Sequence, residues 1–205
     1  MRLELAGGIA AIFWSALRWT VLLVFIATHP SFDVVHKTAS EFGRQGADGA
    51  WIFNLLNFYL GGLLLLVFAL GLGHALSPKR SGAIATALLI VAALGIALPG
   101  YFSLPSRFHV PIAVAFFLAS PTAALFASYA LGAGNRSMRL FSWVVAILWL
   151  AITVVGISLQ SRGLPPGLYQ RVVEVASTLW FLVLGLWLTR RAMSLSRTRG
   201  VAGVS

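Results

Sequence analysis

The chain contains no cysteine. Disulfide bonds and thiolate metal sites are therefore excluded. Acidic residues are almost as scarce, with five Asp and Glu against 15 Lys and Arg in 205 residues. Charged residues of both signs make up only 10% of the chain, where a soluble domain carries about 25%. That deficit excludes a surface that faces water on all sides. The formal charge of +10 invites a nucleic-acid reading. The basic residues form no stripe with interleaved aromatics, however, and instead sit between long apolar runs. No nucleic-acid partner is expected.

What the chain has in abundance is apolar sequence, 59% of its residues. A membrane-crossing helix needs ~20 mainly apolar residues to traverse a ~30 Å hydrocarbon core. Six runs qualify: 6–28, 51–76, 83–103, 110–132, 140–159 and 168–189. Their continuity excludes a transmembrane barrel, whose strands alternate. Backbone groups in lipid must be satisfied internally, which makes these runs helices. The expected fold is all-α, an integral membrane bundle of six transmembrane helices. It forms a single domain over 1–205, with a basic tail at 190–205. The first run is long for a signal peptide, and Glu4 just before it and Arg18 within it fit one poorly, so it reads as a retained helix.

Lys and Arg in short loops set orientation. One side carries Arg2, Lys79, Arg80, Arg136, Arg139, Arg190, Arg191, Arg197 and Arg199. The other carries Lys37, Arg44, Arg107, Arg162 and Arg171. This bias predicts that both termini are cytoplasmic, in a protein of the cell membrane. The tail from Arg190 to Arg199 suits anionic headgroups. The longest polar connection, 29–50, then lies outside. Pro111 suits the first turn of the fourth helix, Pro121 should kink it, and Pro165-Pro166-Gly167 marks the last outer turn. Gly61-Gly62 and Gly71-x-Gly73 suit close helix packing. The seven tryptophans read as interface or packing residues.

Polar chemistry is concentrated at the outer side. Asp33, Glu41 and Asp48 lie in the outer connection, with His29, His36 and His109 at the same level. Glu4 and His74 belong to the inner side. Two charges fall inside helices: Arg18 in the first and Glu174 in the sixth. A charge near the bilayer centre costs at least ~2.5–3.5 kcal/mol, so it seeks a partner inside the bundle. Counted from the outer helix ends, the depths of Arg18 and Glu174 differ by only ~5 Å at 1.5 Å per residue. A buried Arg18–Glu174 ion pair is expected if the two helices are neighbours. It would either fix helix register or line a cavity.

The spacing H-x3-D-x2-H at His29, Asp33 and His36 would put these residues on one face of a helix. Pro30 and Ser31 suit a helix start after His29, and no specific ligand signature is present. A solvated loop face is the reading, and neither metal nor cofactor is expected. Asn54 and Asn57, three apart, share one helix face and suit hydrogen bonds between helices. Arg107 and Arg171 suit a phosphate or carboxylate headgroup or an anchoring role. His109 suits an interfacial position or a general acid/base.

The stretch Ser40-Glu41-Phe42-Gly43, then Gly49, then Trp51-Ile52-Phe53-Asn54 opens a helix that runs through Gly61-Gly62. It resembles the signature of a prokaryotic six-helix membrane family catalogued as domain of unknown function 998. Members of that family typically carry an S-D-L-G-like segment and a W-x-F-N-like helix start. Arg107-Phe108-His109 followed by Phe116-Phe117, and Gly167 to Glu174 followed by Trp180, also look like the family pattern. The resemblance covers about residues 10–190. Glu41 and Phe42 stand where the family more often has Asp and Leu. The resemblance implies a six-helix fold and a candidate outer site, without an activity.

Ser40, Glu41, Asn54, Arg107, His109, Arg171 and Glu174 are therefore the candidate ligand-binding residues. Glu174, His109 and Glu41 are the candidates for any acid/base chemistry. Three functions compete. The first is binding or transport of a small solute or lipid through an outward-facing polar cavity. The second is an enzyme acting on lipid headgroups at the outer leaflet. The third is a structural or accessory subunit. In all three the partner in common is the lipid bilayer.

Overall fold

The computed structural model describes residues 2–160 and 162–202, with the side chains described up to residue 196. Six helices are long and apolar enough to cross a membrane. They are α1 (Arg2–Thr28), α2 (Ala50–Leu76), α3 (Arg80–Tyr101), α4 (His109–Leu131), α5 (Arg136–Gln160) and α6 (Pro166–Ala202). The last helix continues well past 189, where its apolar run ends, so part of the basic tail is helical. Arg2 to Leu5 likewise extend the first helix beyond its apolar run.

Each helix packs on its neighbours in sequence, and α6 closes the ring against α1. The seam between α5 and α6 is the sparsest in that ring. Large aromatic side chains fill the centre. Trp14, Phe68, Phe116, Trp149, Trp180 and Phe181 are all essentially fully buried. Their rings meet edge-on or tilted, with Trp14–Phe181 centroids at 4.7 Å, Phe68–Trp180 at 5.9 Å and Trp149–Phe181 at 6.2 Å. These are the arrangements that ring quadrupoles favour. The outer surface of the ring is equally apolar, with Phe13, Leu23, Val24, Leu63, Val91 and Val154 exposed along α1, α2, α3 and α5. In water such a surface would drive aggregation; in lipid it is the expected exterior.

Lipid tails exert no hydrophobic force between helices, so close approach depends on small residues. A Cβ added to Gly71 would lie 2.7 Å from the Leu3 carbonyl oxygen and 2.8 Å from Gly7 Cα. The α1 and α2 backbones therefore touch at this crossing. Gly62 does the same against α3, where an added Cβ would lie 2.6 Å from Ala97 Cβ. Gly132, with φ +70°, ends α4, and Lys79 Nζ donates to the Ala130 carbonyl at 2.6 Å. A cation at a helix C-terminus complements the helix dipole.

At Asn54–Leu60 the second helix widens into a π-helical segment. Its i→i+5 bonding breaks the regular 3.6-residue repeat. Asn54 and Asn57 thus take different directions and different partners, where regular α spacing predicts one shared face.

Replacing Gly71 with Ala should destabilise the protein by about 1–3 kcal/mol, because two backbones must part. An added Cβ at Gly134 meets nothing within 4 Å, so Gly134→Ala should stay within about 0.5 kcal/mol of the parent. Thermal unfolding in detergent compares the two variants.

Candidate functional site

The connection between α1 and α2, at the end of the bundle opposite the termini, does not run free. Its 3-10 turn, Ala39–Gly43, is held down by Phe42, which is buried among Phe25, Phe32 and Phe53. Phe42 stacks on Phe32 with centroids 3.9 Å apart. Asn54 Nδ2 donates to the Gly43 carbonyl at 3.1 Å. On the other flank the Ala39 amide donates to Gln170 Oε1 on α6 at 2.7 Å, and the Leu168 amide donates to the Val35 carbonyl at 2.9 Å. Gly167 makes that approach possible, since an added Cβ would lie 2.5–2.6 Å from the carbonyl oxygens of Lys37, Val34 and Val35.

The turn forms a roof over a cavity of about 300 Å³ at the same end, between α4, α5 and α6. Thr38, Ser40, Glu41, His109, Gln160 and Gln170 are polar residues of its lining, and Val110, Ala113, Val114, Phe117 and Ile157 form an apolar wall. A second, narrow space of about 20 Å³ shares Ser40, Ala113, Phe117 and Gln170 with it and reaches Arg18, Asn57 and Phe116. That is room for one water-sized group. Phe116 belongs to the aromatic centre, which therefore forms the floor.

Behind this space lies a buried polar network. Arg18 and Glu174 are 6% and 2% exposed, and Arg18 Nη2 donates to Glu174 Oε1 at 2.8 Å. Arg18 Nη1 donates to Asn57 Oδ1 at 3.0 Å. The other Glu174 oxygen accepts from Arg171 Nη1 at 2.9 Å. Arg18 also lies over the Trp14 ring at 5.9 Å, one helical turn below. Charge-assisted bonds of this kind are the strong ones.

The sequence candidates thus separate into groups. Ser40, Glu41 and His109 line the cavity, while Arg18, Arg171 and Glu174 form the network behind it. Asn54 serves the roof instead of the cavity. Arg107 is exposed, its guanidinium stacked on Phe108 at 4.8 Å, and it does not line the space. Gln170 and Asn57 are the additions. Gln170 had no signal beyond its place near the outer end of α6, and Asn57 owes its position to the π-helical segment.

His109 is 3% exposed, and its Nδ1 lies 3.0 Å from the Phe102 carbonyl. A carbonyl only accepts, so Nδ1 carries the proton there. Nε2 has no partner within the described residues. Glu41 is engaged twice by Arg44, Nε to Oε2 at 2.6 Å and Nη2 to Oε1 at 2.9 Å. That pairing raises the Arg44 guanidinium pKa above its ordinary value, through the hydrogen bond first and the charge second. Both carboxylates near the cavity are therefore partners of arginines.

The histidines at this end of the bundle are dispersed. His29 Nδ1 lies 2.9 Å from the Phe25 carbonyl, and the ring stacks on Phe25. His36 Nδ1 lies 2.8 Å from Asp33 Oδ2. Hydrogen bonds from the His36 backbone and ring hold the Asp33 carboxyl below its ordinary value. Among the described residues no three His, Asp or Glu side chains converge as metal ligands. At the opposite end Glu4, 3% exposed, joins His74 Nδ1 at 3.1 Å and Arg191 Nε at 3.3 Å, tying α1, α2 and α6 together.

Residues 9–187 match the family model described as Protein of unknown function (DUF998). The chain belongs to the DUF998 family. No curated protein and no solved structure gives a match. In this DUF998 protein the Ser40–Gly43 and Trp51–Asn54 segments meet in space. Phe42 packs on Phe53 with centroids 5.6 Å apart, and Asn54 bonds to Gly43. The paired segments build the roof of the cavity and dock it on α2.

Glu174→Gln leaves two arginines sharing a neutral amide. Removing one partner of a buried pair costs about 3–5 kcal/mol. The double variant Arg18→Met, Glu174→Gln should recover part of that loss. Unfolding of the two single variants and the double variant measures the coupling; additive losses would contradict a direct interaction.

Proposed function

We propose that this DUF998 protein binds a small amphipathic molecule at one membrane face, in the cavity roofed by Thr38 to Glu41. The observation that carries the reading is the lining itself. A space of about 300 Å³ has an apolar wall from α4 and α5 and a polar end at Ser40, His109 and Gln170. Ligand sites commonly combine an apolar lining with a few convergent polar groups. The sparse α5–α6 seam beside it offers a route from the lipid. Binding is favoured over acid/base chemistry because Glu41 and Glu174 are already engaged by Arg44, Arg18 and Arg171. The aromatic centre beneath the cavity favours capture from one face, and transfer across the membrane would require that centre to open. By the distribution of Lys and Arg, the cavity faces outward in the cell membrane and both termini are cytoplasmic.

Ala113 borders both the cavity and its narrow extension. Ala113→Trp should fill the space. Mass spectrometry of small molecules released from the purified protein should then show a species present in the parent and lost in the variant. Identical extracts from two equally folded proteins would contradict the proposal.

Orientation has its own test, because the chain lacks cysteine. Asp48→Cys should react with a membrane-impermeant maleimide added to intact cells. Ser196→Cys should react only after the membrane is opened. The reverse pattern would invert the protein.

A further inference from the structure

The polar network behind the cavity is unbalanced in two respects. Its charge is the first. Arg18, 6% exposed, and Arg171, whose side chain is 17% exposed, share the single carboxylate of Glu174. Glu41 is neutralised at the cavity lining by Arg44. One positive charge is therefore left over among these five side chains. Its hydrogen bonding is the second. Asn57, 5% exposed, gives its Oδ1 to Arg18, and its Nδ2 is buried without a partner in the described residues. Arg171 Nε and Nη2 are also buried and unpartnered. All three are donors, and all belong to the same connected network.

Buried donors left unpaired cost free energy, and an uncompensated buried charge costs more. Arg171 borders neither space, but at Asn57 and Arg18 one kind of group answers both the open donor and the excess charge, an oxygen that accepts hydrogen bonds and carries negative charge. The narrow extension of about 20 Å³ places Arg18 and Asn57 around a space for one such atom. The apolar wall of the wider cavity begins at Ala113 and Phe117, which border both spaces.

We infer that the cavity selects an amphiphile with an oxyanion head, a carboxylate or phosphate. One anionic oxygen docks on Asn57 Nδ2 beside Arg18, and the apolar portion lies along Val110, Val114 and Ile157. This inference rests on the binding function proposed above and adds the charge of the ligand. The π-helical segment gains a role in it, because it turns Asn57 towards Arg18.

The test uses the full chain in phosphatidylcholine nanodiscs, with calorimetric binding of four ten-carbon probes: decanoate, decyl phosphate, decanol and decylammonium. Empty nanodiscs give the partition background. At least one anion should bind at least about tenfold tighter than decanol, the lower end of what a charged hydrogen bond contributes. Decylammonium should bind weakest. N57D keeps an oxygen for Arg18 and places a carboxylate where the ligand's would go. It should erase the anion preference and shift decanol binding far less, because decanol carries no charge. Asn57→Ser removes Nδ2 without adding charge, and it should weaken the anions more than decanol, which gives the same reading if N57D fails to fold.

Equal binding of decanol and both anions would overturn the oxyanion inference while leaving the cavity reading intact. So would an anion preference that survives both Asn57 variants. Binding of every probe unaffected by Ala113→Trp would overturn the cavity reading and the inference with it.

Discussion

A positive charge near the middle of a membrane helix organises the half of this protein that lies away from its termini. Arg18 sits where a cation costs at least ~2.5–3.5 kcal/mol unless it finds partners. Those partners come from two other helices, Asn57 from α2 and Glu174 from α6. Meeting them requires α6 to lie against α1, which closes the ring of six. It also requires a π-helical segment in α2 that turns Asn57 inward. The cavity lies beside the α5–α6 seam at the end opposite the termini.

The roof depends on the same frame. Ala39 is tied to Gln170, on the helix that carries Glu174, while Gly43 is tied to Asn54, three residues before Asn57. The Ser40–Gly43 and Trp51–Asn54 segments are therefore joined to the two helices that hold Arg18. Phe42 supplies the packing and Ser40 reaches the cavity. A short polar turn is in this way fixed over a membrane bundle without any disulfide.

Much of this architecture can be read from residue order alone. Apolar runs of about 20 residues allow only helices in lipid, so the six spans follow from length and composition. Counting residues from the outer ends of α1 and α6 puts Arg18 and Glu174 at nearly the same depth, and in the structure they meet at 2.8 Å. Other features were hidden for physical reasons. Asn54 and Asn57 differ because a π turn breaks the α repeat, and nothing in Asn-Leu-Leu-Asn announces one. Arg107 stands beside His109 in sequence and yet stacks outward on Phe108, since a chain entering a helix turns adjacent side chains apart. Gln170 looks like any polar residue at a helix end, and its role depends on a loop more than 100 residues away.

The proposed binding function requires an electropositive cavity under Ser40 that opens to one side of the membrane. The absence of native cysteine allows this to be measured directly. A single cysteine at Ala113 would be exposed in turn to an anionic and a cationic methanethiosulfonate reagent of similar size, applied to each membrane face. Reaction is expected from the face opposite the termini, faster with the anionic reagent. No reaction, reaction from the face of the termini, or faster reaction with the cation would contradict the proposal.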